Sequence, residues 1–300
     1  MTAAERGTLL LCCDLGGQGA RPLSEAQFRL LSRRARGMGP GNTGLDRELE
    51  AGDLTRLGYS AEEASHIVAL LDGGARLDRY LEAGRLDGIF PLTCQSGDYP
   101  ARLLHTPGGS APPVFFCAGN RALLRGPFVG LAGSRRLGAR GAAFAERAGE
   151  LAAKEGFVLV TGGAHGADWT AVNACLQNGG RTVVFVPDAL RRRVREAGPN
   201  CLMLSAGGYD VPFSTARALS RNVWVHKLGE STLIAQTGFG SGGTWRGGVD
   251  NLRMGWSSLY VNDDGSPGAR ALEDMGAVPL RRLDSISGLV PYQETFFGDI

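Results

Sequence analysis

The chain has 300 residues, 43% of them apolar and 21% charged, which fits a globular protein with a substantial core and argues against a disordered or fibrous one. Its formal net charge of +2 supplies no global basic field, so any polyanion site must come from local clustering. Glycine is the outlier at 46 residues, about twice the usual 7%.

At the N-terminus a short apolar run, Leu9 to Cys13, ends at Asp14. It is too short for a signal peptide, and no other run approaches the ~20 apolar residues of a membrane span, so a cytoplasmic protein with no membrane partner is expected. Ser24 to Gln27 reads as a capping box before Phe28, Leu30 and Leu31 at helical spacing. Ser60 to Glu63 is a second one, leading into Ala64, Ile67, Val68 and Leu71. Between them, Gly37 to Gly44 reads as a glycine- and proline-rich loop. Together these predict a small helical domain over residues 1–90. Its basic cluster Arg33, Arg34 and Arg36 fits a solvated helix face better than a DNA contact.

From Ile89 the texture changes, and residues 91–300 read as a second domain. Apolar strands alternate with helical stretches: Phe128–Ala132 then Ala139–Glu155, and Val158–Thr161 then Ala167–Asn178. Thr182–Val186, Leu202–Leu204, Thr232–Ala235 with a helix from about Trp245, and Leu259–Val261 followed by Arg270–Met275 continue the pattern. Near-continuous apolar strands alternating with helices predict an α/β fold with a Rossmann-like, doubly wound, mostly parallel sheet.

In such a sheet ligands bind beyond the carboxyl ends of the strands. Three strands there run into glycine-rich turns that open helices. The first carries Gly133, Ser134 and Arg135; the second Gly162, Gly163, His165 and Gly166; the third Gly242, Gly243 and Thr244. Small residues let backbone N–H groups face an anion, a helix N-terminus adds partial positive charge, and Arg135 adds a fork of donors. No G-x-x-x-x-G-K-S/T occurs, which disfavours triphosphate hydrolysis, and the first turn lacks the G-x-G-x-x-G of a dinucleotide site. Asp168 opens a helix and reads as a cap before it reads as an acid or base. Arg191, Arg192, Arg193 and Arg195 form a basic run that fits a phosphate track or a solvated segment equally well. The six cysteines form no C-x-x-C pair and lie mostly in apolar surroundings, so buried reduced thiols are expected. The histidines show no ligand spacing, and neither a metal nor a cofactor is expected.

Read in order, these segments resemble the DNA-processing protein A family (DprA, also called Smf), which shares a Rossmann-like fold with the LOG phosphoribohydrolases. Tyr99-Pro100-Ala101-Arg102-Leu103 and Pro112-Pro113-Val114-Phe115-Phe116, with Gly119-Asn120, begin the match. Gly130 to Arg135, Thr161 to Asp168, Phe213 with Arg221-Asn222, and Gly242 to Gly247 with Asn251-Leu252 continue it, over roughly residues 95 to 280. The resemblance implies a non-enzymatic, usually dimeric protein that binds single-stranded DNA and delivers RecA onto it in recombination or natural transformation. It adds Phe213, Arg221 and Asn222 to the candidate DNA contacts. His165 departs from the family, whose second loop usually has a basic residue there. No winged-helix domain like that of longer members is expected after Leu280. The alternative is a LOG-like nucleotide-binding protein, either a nucleoside monophosphate N-glycosidase or a nucleotide sensor in stress or phage defence. The glutamate that LOG enzymes carry after the third loop is missing here, where Trp245, Arg246 and Gly247 stand. No catalytic residue is therefore assigned.

Overall fold

The computed structural model describes residues 1–17, 19–36, 50–106 and 111–289. The expected loop at 37–44 lies outside the described residues. Five helices come first: α1 (Ala3–Cys12), α2 (Glu25–Arg36), α3 (Ala51–Arg56), α4 (Ala61–Leu71) and α5 (Gly74–Leu86). Both expected capping boxes form. The Ser24 N–H donates to Gln27 Oε1 at 2.8 Å and Gln27 N–H returns a bond to Ser24 Oγ, while Ser60 and Glu63 exchange the same pair ahead of α4. Arg34 lies over the Tyr59 ring at 4.5 Å and donates to the Gly58 carbonyl, which ties part of the basic cluster to its own helical layer.

Next come β1 (Ile89–Thr93), α6 (Ala101–His105), β2 (Val114–Ala118) and β3 (Phe128–Ala132). Then the chain alternates: α7 (Ala139–Glu155), β4 (Val158–Thr161), α8 (Ala167–Gln177), β5 (Arg181–Phe185), β6 (Cys201–Ala206), α9 (Thr215–Leu228) and β7 (Ser231–Ile234). It closes with α10 (Gly242–Met254), β8 (Ser258–Asn262), α11 (Pro267–Asp274) and β9 (Val278–Leu280). The third glycine loop therefore enters its helix at Gly242, three residues before the expected start. Strands β3, β4, β7 and β8 are buried throughout, as strands covered on both faces must be.

The sheet order is β1-β2-β6-β5-β4-β3-β7-β8-β9. The pairs β1–β2 and β2–β6 run antiparallel and every other pair runs parallel. From β3 the chain builds β4, β5 and β6 to one side, then crosses back to place β7, β8 and β9 on the other. Leu131, Leu159 and Val184 pack on one face with Ala148 of α7 and Val172 of α8. Val158, Val160 and Val183 pack on the opposite face with Trp224, Val225 and Leu228 of α9. Strand β3 is thus the switch point, where the flanking connections leave to opposite faces and open a crevice. The N-terminal helices pack on the first of these faces, since Leu9, Leu54 and Ile67 share its core with Leu131 and Leu159. Tyr80 of α5 fastens that contact. Its hydroxyl donates to Asp210 at 2.6 Å and accepts from the Tyr209 N–H, and the two tyrosine rings stack at 4.2 Å.

Cys12, Cys13, Cys117, Cys175 and Cys201 are buried thiols. Burial pushes Cys117 and Cys175 up to about 12, so both keep their protons at neutral pH.

His226 on α9 has no exposed surface, and neither ring nitrogen has a hydrogen-bond partner. It faces α10 so closely that a Cβ on Gly247 would fall 2.9 Å from its Nε2. Burial pushes its pKa from 6.5 down to about 3. Between those values the unfolded chain binds a proton that the folded chain refuses. The folded state is therefore fully favoured above the upper value and loses ground as pH falls toward the lower one. Urea denaturation near neutral pH and at about pH 5 should show wild-type stability falling by up to about 1.4 kcal/mol per pH unit from this site. His226→Leu should flatten that slope with little loss at neutral pH, because no hydrogen bond is broken.

Candidate functional site

The carboxyl ends of β4, β3 and β7 are adjacent because these strands are neighbours in the sheet. Their three glycine turns are joined by hydrogen bonds. The Ser134 N–H donates to the Gln236 carbonyl at 2.9 Å, and the Gly138 N–H donates to Gln236 Oε1 at 2.8 Å, linking the first turn to the third. The Ser134 carbonyl accepts from the Ala167 N–H at 3.2 Å, linking the first turn to the second.

The second turn depends on two left-handed glycines. Gly163 has φ +64°, and Gly166 has φ +83° with ψ −127°, a conformation open in practice to glycine alone. A Cβ on Gly166 would also lie 2.6 Å from the Arg135 carbonyl oxygen and closer still to that of Ser134. Asp168, in the first turn of α8, accepts from the Ala164 N–H at 3.1 Å and so closes the loop. The N-cap of α8 is Gly166, so this bond braces the loop ahead of the helix and is not the expected cap.

The three turns and the N-terminal half of α9 enclose a cavity of about 510 Å³. It brings together Gly133, Ser134, Arg135, Gly162, Phe213, Arg221, Asn222, Gly242, Gly243 and Thr244. Three of the expected residues stay out of its lining. Gly163 is turned toward Val184 and Arg193, Gly166 faces the backbone of the first turn, and His165 is exposed on the outside of the loop. Gly163 and Gly166 shape the loop through their positive φ, and His165 is not among the lining residues.

Arg221 departs from the picture of an open surface cation. Its residue is 5% exposed, and its Nη1 sits 3.8 Å from Asp168 Oδ2 with no hydrogen-bond partner. The guanidinium lies directly under Gly162, where a Cβ would come within 2.5 Å of its Cζ. Burial raises the Asp168 pKa, opposed chiefly by the Arg221 charge, and the same burial lowers that of Arg221. No sequence spacing links residues 168 and 221, so this pair could be found only in the fold. Gln236, which ties the first and third turns, was equally silent because nothing in its own sequence environment marks it.

The lining charges are Arg135, Arg221 and Asp168, a net of +1. Gly242, Gly243 and Thr244 open α10 there, and the N-cap Ser241 makes no side-chain cap bond. Such a cavity suits a single phosphate group. The arginine run beyond it is divided. Arg191 pairs with Asp87, and Arg193 pairs with Glu196 and lies over Trp169, while Arg192 and Arg195 are exposed. Trp256 is buried and Trp245 is half-buried. Among the described residues no three His, Cys, Asp or Glu side chains converge as metal ligands.

The family model for DNA recombination-mediator protein A matches residues 91–286. The curated DNA processing protein DprA of Streptococcus pneumoniae is 38% identical over 106 residues, which is 33% of this chain and 37% of that protein. The match thus spans little more than a third of that relative. The X-ray structure of DNA processing protein A from S. pneumoniae superposes with a TM-score of 0.66 at 22% identity, covering 86% of this chain and 95% of that one. The Helicobacter pylori DNA processing protein A, solved for its single-stranded DNA binding mode, gives 0.56 at 23% identity, covering 65% and 93%. Both likenesses establish the fold.

Proposed function

The chain belongs to the DNA recombination-mediator protein A family, and from that premise we propose that it binds single-stranded DNA across the three-loop cavity, without reading sequence. The observation that carries this is the meeting of the turns after β3, β4 and β7 with Arg135 and Arg221 around one cavity. Arginines and the N–H groups at the start of α10 can grip phosphates that every strand offers, which is why such a site is indifferent to base order. The H. pylori relative, solved for its single-stranded DNA binding mode, supports the same reading.

On family grounds we extend the proposal to delivery of RecA onto the strand, to a homodimer and to a cytoplasmic setting that includes natural transformation. Among the described residues no helix is long and apolar enough to cross a membrane. The division at about residue 90 is proposed alongside, supported by the family match beginning at residue 91. A binding role without turnover is favoured because Asp168, the only carboxylate in the lining among the described residues, is committed to the Ala164 N–H and to Arg221.

Fluorescence anisotropy with a labelled thymidine oligomer over a salt series tests the proposal. Affinity should fall with salt at a slope of about −0.7 per phosphate neutralised on a single strand. Arg135→Ala should weaken binding by more than about 1 kcal/mol and flatten the slope by roughly one such step. The cavity also lies within the ~300–1,000 Å³ range of small-molecule sites, which favours a mononucleotide as the second reading. A flat salt response, with saturable binding of a nucleoside monophosphate, would select it. Release of free base, followed by chromatography, would make the protein an enzyme.

A further inference from the structure

Two of the three exposed phenylalanines among the described residues flank the cavity. Phe213, 53% exposed, lines one wall, and the third, Phe90, lies far off on β1 at the sheet edge. Phe239, at 65%, is the most exposed of the three and belongs to the third turn. Its neighbours Gly238 and Ser241 both line the cavity, so its Cα is one backbone step, about 3.8 Å, from the wall.

The Phe239 ring has a fixed backing. Trp245 packs against the cluster of Ile234, Leu259 and Leu272, and the two rings meet edge to face at 5.3 Å and 69°. A contact of that kind covers at most one face of Phe239. The surroundings are open, since a Cβ at Gly240 or Gly242 would meet nothing within 4 Å. Both glycines have positive φ, +68° and +88°, a tight backbone turn that glycine permits.

The charge balance supplies the reason for an aromatic here. A net of +1 around the cavity matches one phosphodiester, so tighter binding must draw on another part of the nucleotide. Every base offers a π face, whatever its identity, and stacking keeps the site indifferent to sequence.

We propose that Phe239, held by Trp245, is a stacking shelf for the nucleobase next to the phosphate in the cavity. The proposal rests on the single-stranded DNA reading and adds the base-facing half of that site.

The test compares a thymidine oligomer with an abasic strand of the same length and phosphate count, by anisotropy, on the wild type, Phe239→Ala and Phe239→Tyr. Phe239→Ala should weaken thymidine-oligomer binding by at least about fivefold, the low end of a lost base stack, and leave abasic-strand binding within about twofold. Phe239→Tyr, which keeps a ring, should bind the thymidine oligomer like the wild type. Equal weakening on both strands would mean that Phe239 only shapes the loop. No weakening on either would mean that it meets no base. Both results overturn the shelf while leaving the DNA reading intact. Failure of the wild type to bind the thymidine oligomer would remove the DNA reading itself, and the shelf with it.

Discussion

Gly166→Ala should abolish binding of a thymidine oligomer and cost about 2–4 kcal/mol of stability, the sum of backbone strain and lost loop hydrogen bonds. The residue combines φ +83° with ψ −127°, which an alanine adopts only under strain. The added Cβ would also collide with the carbonyl oxygens of Ser134 and Arg135, and backbone atoms cannot swing aside as a side chain can. Relief requires the first turn to move, and Ser134 is the residue that ties this turn to Gln236 and to Ala167. One methyl group would thus pull apart all three turns. Gly207→Ala is the matched control. Its φ is +76°, but a Cβ there meets nothing within 4 Å, so it should show the strain cost of about 1 kcal/mol and normal binding. Urea midpoints and anisotropy on the two variants decide the matter. Wild-type affinity in Gly166→Ala would show that the junction of the turns is not what holds the strand.

Arg221→Met should be the most destabilising single change at the site, by about 3–5 kcal/mol, because it strands the Asp168 carboxylate in the interior. Burial already raises the Asp168 pKa, and losing the arginine removes the main opposing charge. A carboxyl group whose folded pKa lies above its unfolded value favours folding when protonated and opposes it when ionised. The deficit of Arg221→Met relative to wild type should therefore shrink as pH is lowered and be full at neutral pH. Asp168→Asn in the same chain should recover most of the stability, since an amide oxygen can still accept from the Ala164 N–H. Binding should not recover with it. Arg221 lines the cavity, and its Nη1 makes no hydrogen bond within the protein and so is available to an anion bound there. A double variant that is stable and binds DNA normally would reduce Arg221 to a structural residue.

Much of this site was legible in the chain before any fold was known. Gly133-Ser134-Arg135, Gly162 to Gly166 and Gly242-Gly243-Thr244 each follow an apolar run and precede a helix, a local pattern set by backbone sterics and by the orphan N–H groups of a helix start. The two antiparallel strands β1 and β2 were harder to see. They are joined across α6 and a long connection, and no hairpin turn marks their pairing.

The alternation of buried strands with amphipathic helices, the capping boxes before α2 and α4, and the buried thiols all follow from interactions within a few residues or from simple burial, so the sequence alone determined them. The order β4-β3-β7 was decided only by the tertiary structure, because neighbours in a parallel sheet are chosen by which faces the crossover helices cover, over a hundred residues of chain. That order makes three separate turns into one cavity. The same crossing brings Arg221 of α9, a candidate DNA contact, beneath Gly162, where it is buried against Asp168.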